Sequence, residues 1–121
     1  MQGDRAKTKE EIDAVLNEFT ARIRPLFGSS LEKVILFGSF ARGDYDSESD
    51  VDLMLLVHDN EAEIKKMDRT VVNATGDIDL EHSVLLSPII VNCDRFYRYV
   101  NDLPFYRNVQ QEGIVLYEQH S

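Results

Sequence analysis

The chain begins its ordered pattern with apolar residues at helical intervals. In "TKEEIDAVLNEFTARIRPLF", Ile12, Val15, Leu16, Phe19 and Ile23 recur on one face, which predicts an amphipathic helix. Thr8 and Glu11 have the spacing of a capping box, and Gly28 supplies a C-terminal stop. The period then changes. "KVILF" predicts a short buried strand ending at Gly38, "SFARG" a brief helix or tight turn, and "YDSESD" a loop. "DVDLMLLV" predicts a second strand, and its near-continuous apolar run implies cover on both faces and a central place in the sheet.

Helical spacing returns in "EAEIKKMDRTVVNAT", followed by "IDLEHSVLL", whose alternation predicts a third strand. Pro88 interrupts, and "IIV" continues extended. Asn92 is placed to cap a helix through "DRFYRYV". "PFYRNVQQ" predicts a last helix opened by Pro104 and closed at Gly113, before a final apolar segment "IVLY". There are no internal repeats, linkers or low-complexity stretches. The order of elements predicts an α/β (α+β) fold, a small mixed sheet flanked by helices, in one domain over residues 1–121.

Composition narrows the function classes. The chain is 43% hydrophobic and 29% charged, the mix of a globular protein with a real core. Its formal net charge of −9 argues against a general nucleic-acid binder, although a bound cation could still carry a triphosphate into an acidic site. The single cysteine, Cys93, excludes an internal disulfide and any multi-cysteine metal site. The charged start "MQGDRAKTKEEID" lacks the apolar core of a secretory signal, and no apolar run is long enough to cross a membrane, so the expected location is cytoplasmic.

The acids between the first two strands carry the chemistry. Side chains two apart on a strand share a face, so Asp50 and Asp52 project together from the start of the second strand, roughly 6–7 Å apart at the backbone. Two carboxylates at that spacing can converge on hard cations. Gly38-Ser39, just after the preceding strand, offers backbone N–H groups and a hydroxyl to phosphate oxygens. Asp44, Asp46 and Glu48 read as a solvated loop. A calcium loop is rejected, since Ser49 and Leu55 stand where it needs glycine and glutamate. Arg42 is placed equally well to reach a phosphate or to neutralise the acidic loop.

"GSFARGDYDSESDVDL" resembles the Gly-Ser, ten residues, Asp-x-Asp signature of the DNA polymerase β-like nucleotidyltransferase superfamily. The similarity is to its minimal nucleotidyltransferase branch, which includes antitoxins paired with HEPN-domain toxins, and it extends loosely through "VLLSPIIV" and "FYRNVQQEGIVLY". The resemblance implies ATP as substrate and two magnesium ions, with Asp50 and Asp52 as metal ligands and Gly38, Ser39 and Arg42 at the nucleotide. It implies in-line attack of an acceptor hydroxyl on the α-phosphorus, with a HEPN-type protein as the expected partner and acceptor of AMP. Catalytic members of the superfamily add a third carboxylate from a neighbouring strand. In the expected strand over 78–86, Glu81 is favoured as that catalytic acid and Asp79 is the other metal-ligand candidate, with Asp77 ranked below both.

The remaining polar residues suggest less. His82 reads as a core-edge histidine beside Ile78, Leu80 and Val84, while His58 and His120 lie apart, and Cys93 reads as inert. Phe96, Tyr97, Tyr99, Phe105 and Tyr106, interleaved with Arg95, Arg98 and Arg107, suit core packing or a partner-docking or homo-oligomer surface. The alternative function is a binding module of the same fold that neutralises a HEPN-type partner by contact, with weak turnover or none.

Overall fold

The computed structural model describes residues 7–120. Helix α1 (Lys9–Phe27) opens with the expected capping box: the Thr8 hydroxyl accepts the Glu11 N–H, and the Glu11 carboxylate accepts the Thr8 N–H. Its apolar face buries Ile12, Val15, Leu16, Phe19, Ile23 and Phe27. Gly28 ends the helix at φ 55°, and one 3-10 turn leads into β1 (Leu31–Phe37). After the short helix α2 (Ser39–Arg42) and an acidic loop comes β2 (Val51–Val57). Helix α3 (Glu61–His82) is followed by β3 (Leu86–Asn92), α4 (Cys93–Tyr99), α5 (Pro104–Glu112) and β4 (Ile114–Glu118).

The four strands form one mixed sheet in the order β3-β2-β1-β4. β1 is antiparallel to both β2 and β4, whereas β2 and β3 run parallel. β2 therefore has a strand on each side, as its apolar run predicts. Val51, Leu53, Leu55 and Val57 pack on the α1–α3 layer, and Met54 and Leu56 pack on the other face with Ile35, Phe96 and Val109. Burying each such side chain contributes about 1.5–3 kcal/mol, so this strand is the most firmly held platform in the chain. Pro88 is tolerated because β3 is an edge strand, where the missing N–H need not face a neighbour.

One expected element is corrected. Residues 78–82 are not the start of a third strand but the end of α3, which begins with an Asn60–Glu63 capping box and continues straight through Gly76. Ile64, Val71 and Ile78 are buried at intervals of seven, and this face keeps the helix seated on the core despite the roughly 1 kcal/mol cost of an internal glycine. Strand alternation would bury Leu80, yet it is 86% exposed. The helix ends at Ser83 in the left-handed conformation (φ 53°), and the third strand begins at Leu86.

The second layer, α4 and α5, follows the sequence closely. Asn92 accepts the Arg95 N–H to cap α4, and Pro104 occupies the first turn of α5. Phe96 is fully buried, whereas Tyr97, Tyr99 and Phe105 are partly turned outward. The aromatic stretch is thus divided between core and surface. Among the described residues no helix is long and apolar enough to cross a membrane.

Candidate active site

The antiparallel pairing of β1 and β2 sets Phe37 opposite Asp52, so the chain leaving β1 passes directly beside that carboxylate. Gly38 turns there with φ 76° and ψ −154°, a region that residues with a Cβ seldom enter. A Cβ on Gly38 would lie 2.3 Å from Oδ2 of Asp52. The glycine thus serves twice, for its backbone angle and for the close approach. Ser39 follows as the first residue of α2, and Arg42 ends that helix one turn later.

Asp50 arrives by a separate device. Asp46 Oδ1 accepts the Glu48 N–H at 2.9 Å, and the Ser49 hydroxyl accepts the Asp46 N–H at 3.0 Å, which closes the acidic loop into a compact turn. Tyr45 anchors the same loop by stacking on Phe40, with ring centroids 4.2 Å apart, and by donating its hydroxyl to the Lys7 carbonyl. The Val51 N–H then bonds the Leu85 carbonyl, fixing the start of β2. Asp50 is delivered exposed, immediately before the rigid strand that carries Asp52.

The electrostatics of the pair are unbalanced. Partial burial, and then the charge of Asp50, push the Asp52 carboxyl above the usual range, and only Arg42 opposes them. Arg42 is itself shared: its Nε lies 3.2 Å from Asp44 and its Nη1 3.8 Å from Glu112. A half-buried carboxylate on a rigid strand, a second carboxylate within electrostatic reach and a divided cation make a hard-oxygen donor set that suits magnesium. Asp50 and Asp52 could hold such an ion.

Two cavities meet the acid pair. One, of about 390 Å³, is lined by Gly38, Ser39, Arg42 and Asp52 and walled by Phe105, Asn108 and Glu112 of α5. The other, of about 760 Å³, is lined by Asp50, Asp46, Ser47, Glu48 and Ser49, with Ser83 and Lys7 at its rim. Gly38, Ser39, Arg42 and Asp52 therefore share one cavity, while Asp50, whose charge reaches Asp52, lines the other. The α5 wall does not announce itself in the sequence. Its only signal is that residues 105, 108 and 112 share a helical face.

The expected third acid is not on a strand beside Asp52. Asp79 and Glu81 belong to α3, because that helix runs on to His82. Asp79 Oδ1 accepts the Leu86 N–H at 3.3 Å, and Glu81 lines a different cavity with Glu11, Ala14 and His82, against α1. On the β3 side of β2 the strand reads Leu-Ser-Pro-Ile-Ile-Val-Asn and contains no carboxylate, with Ser87 opposite Asp52; on the β1 side Phe37 is opposite it. His82 faces Glu18 at 3.3 Å in the last turn of α3, not in a strand, and Glu18, Glu81 and His82 bring ligand-type atoms within 4.8 Å of one another. Asp77 is claimed by Arg22 through contacts of 2.6 and 3.0 Å, which hold its carboxyl below the usual range. Cys93 is buried, and burial pushes its thiol up, away from the reactive thiolate.

The chain is similar in sequence and in fold to known proteins. The chain is 41% identical over 80 residues to "Putative protein adenylyltransferase MJ0141" of Methanocaldococcus jannaschii, covering 66% of this chain and 79% of that protein. It is 33% identical over 105 residues to "Putative protein adenylyltransferase MJ0604" of the same organism, covering 87% of this chain and 97% of that protein. The fold is similar to that in the "Crystal structure of a putative nucleotidyltransferase from Sulfolobus solfataricus", with a TM-score of 0.52, 21% identity, and 93% and 91% of the two chains covered. The nucleotidyltransferase domain family matches residues 9–116, nearly the whole described chain, and the protein belongs to that family.

Proposed function

We propose that this nucleotidyltransferase moves AMP from ATP to a hydroxyl group on a partner protein. The observation that carries the reading is the packing of the Gly38 backbone against Asp52, beside Ser39 and Arg42 and within reach of Asp50. Ser39 and the backbone at Gly38 bind the phosphate tail, and Arg42 adds positive charge once it releases one of its two carboxylate partners. Asp50 and Asp52 hold magnesium, which when bound neutralises the triphosphate and makes the acceptor hydroxyl easier to ionise. The acceptor oxygen forms a bond to the α-phosphorus as the bond to pyrophosphate breaks, and the hydroxyl proton leaves to solvent. The chain's contribution is positioning and charge, so few side chains are needed.

A protein acceptor is supported by the names of the Methanocaldococcus jannaschii relatives, and a HEPN-type partner by the motif resemblance in residues 38–53. Incubation with magnesium, ATP labelled at the α-phosphate and a HEPN-domain protein tests the reading. Label on the partner, absent without magnesium, is the expected result. A second reading, neutralisation of the partner by contact with little turnover, is favoured by one observation: β3 offers Ser87 rather than an acid beside Asp52. Complex formation that protects or inhibits the partner without labelling it would establish that reading instead.

A further inference from the structure

The two cavities flanking the acid pair differ in chemistry. The larger one, on the Asp50 side, is rimmed by Asp46 and Glu48 and by three serines, and its ring, Phe40, is buried. A triphosphate meets three carboxylates there, Asp46, Glu48 and Asp50, against one cation, Lys7, and a flat base finds no open ring to stack on. The smaller cavity, on the Asp52 side, holds the glycine cradle, and its far wall is α5. Phe105 stands on that wall with 47% of its surface exposed. Its ring meets Phe37 at 5.5 Å and 76° and Tyr106 at 5.9 Å and 45°, contacts that restrain its tilt while about half of its surface stays exposed. One turn along, Asn108 lines the same cavity, and its amide appears in no side-chain hydrogen bond among the described residues.

We infer that α5 is the base-reading element of the nucleotide site, with Phe105 stacking on the base and Asn108 selecting adenine by its edge. The inference rests on the transfer reading above and deepens it. A side-chain amide presents one acceptor and two donors. Adenine offers the complement, an N6 amino donor next to a ring-nitrogen acceptor, whereas guanine presents O6, a second acceptor, at the same place. Glu112, at i+4 from Asn108, lies 3.8 Å from Arg42, so Asn108 is the uncharged polar group of this wall. A cavity of about 390 Å³ is of the size that encloses a nucleotide-sized ligand.

The test is equilibrium binding, with magnesium, of non-hydrolysable ATP and GTP analogues and of tripolyphosphate, which has the tail and no base. Wild type should prefer the adenine analogue to the guanine analogue by about fivefold or more. Phe105→Ala should weaken both purines by about fivefold or more and leave tripolyphosphate unchanged, and Phe105→Tyr should restore them. Asn108→Ala removes both the donor and the acceptor of the amide and should bring the adenine preference close to one. Equal loss for all three ligands in Phe105→Ala would mark a merely structural role and overturn the inference. So would an adenine preference in Asn108→Ala that stays within twofold of wild type. Wild-type binding of tripolyphosphate and both purines with equal affinity would remove α5 from base recognition and leave the transfer reading standing. If wild type binds none of the three, both readings fall.

Discussion

Gly38→Ala separates what the fold requires from what the site requires. At φ 76° and ψ −154° the added methyl forces a backbone conformation that costs about 1–3 kcal/mol for a residue other than glycine. The same methyl would sit 2.3 Å from Oδ2 of Asp52, and 3.2 Å from its Cγ. That obstacle is the end of a short side chain near the start of β2, so the carboxylate can swing away at little further cost in stability. Its function cannot follow so easily, because misplacing a group at the reacting centre by about 1 Å costs on the order of a hundredfold in rate.

Gly28 supplies the control, since it also has a positive φ, 55°, with nothing within 4 Å of an added Cβ. Gly28→Ala and Gly38→Ala should therefore lose similar stability, each lowering the melting temperature by about 3–6 °C per kcal/mol for a chain of this length. Only Gly38→Ala should lose magnesium-dependent nucleotide binding and label transfer. Thermal unfolding followed by circular dichroism, with transfer measured on the same preparations, decides the point. If Gly38→Ala transfers at the wild-type rate, or if Gly28→Ala loses nucleotide equally, the cradle has been misassigned.

Asp50→Asn and Asp52→Asn should each abolish transfer without unfolding the protein. Because Asp52 titrates above an ordinary aspartate in the folded state, its favourable contribution is complete below the unfolded value of 3.8 and lost as pH rises through the folded one. Asp52→Asn should accordingly melt higher than wild type at neutral pH, with the difference closing below pH 3.8; a lower melting temperature at pH 7 would contradict the electrostatic account. Magnesium with ATP should raise the melting temperature more than either alone, because each completes the other's ligands, and identical curves in all four conditions would remove the site. Glu81→Gln should leave transfer unchanged, since Glu81 lines the cavity against α1; a loss of turnover at constant nucleotide affinity would return it to the site.

The parts legible in the sequence are those whose signals are local. Thr8 and Glu11 fix the start of α1, and the apolar run after Asp52 states the burial of β2 outright. Gly38, Ser39, Asp50 and Asp52 lie within fifteen residues, and one antiparallel pairing brings them together. The misread segment is one in which two periods coincide. Ile78, Leu80, His82 and Val84 alternate as a strand does, but Ile78 also continues the seven-residue spacing of Ile64 and Val71, and tertiary packing against α1 chooses the helix. Gly76 looks like a break and is an ordinary helical residue. The α5 wall was beyond local reading, because Phe105 reaches Gly38 only after the sheet has placed α5 beside β1.

The chain treats its acids in two ways, and the contrast bears on what the Asp50–Asp52 pair is for. Asp77, which ties α3 to α1, is gripped by both arms of the Arg22 guanidinium, and its carboxyl is held below the usual range. Asp79 satisfies the N–H of Leu86 where β3 begins. Asp52 receives no such partner. It is partly buried, faces the charge of Asp50 and shares with two other carboxylates the one arginine that opposes them, so its pKa is raised. A fold selected only for stability would have neutralised this acid as it neutralised Asp77, or replaced it with the apolar residues that follow it in β2. Local conflict left standing on the most rigid strand of an otherwise consistent fold is characteristic of a functional site. What relieves it must bring positive charge to the start of β2, and under the proposed transfer reading a magnesium–nucleotide complex is what supplies that charge.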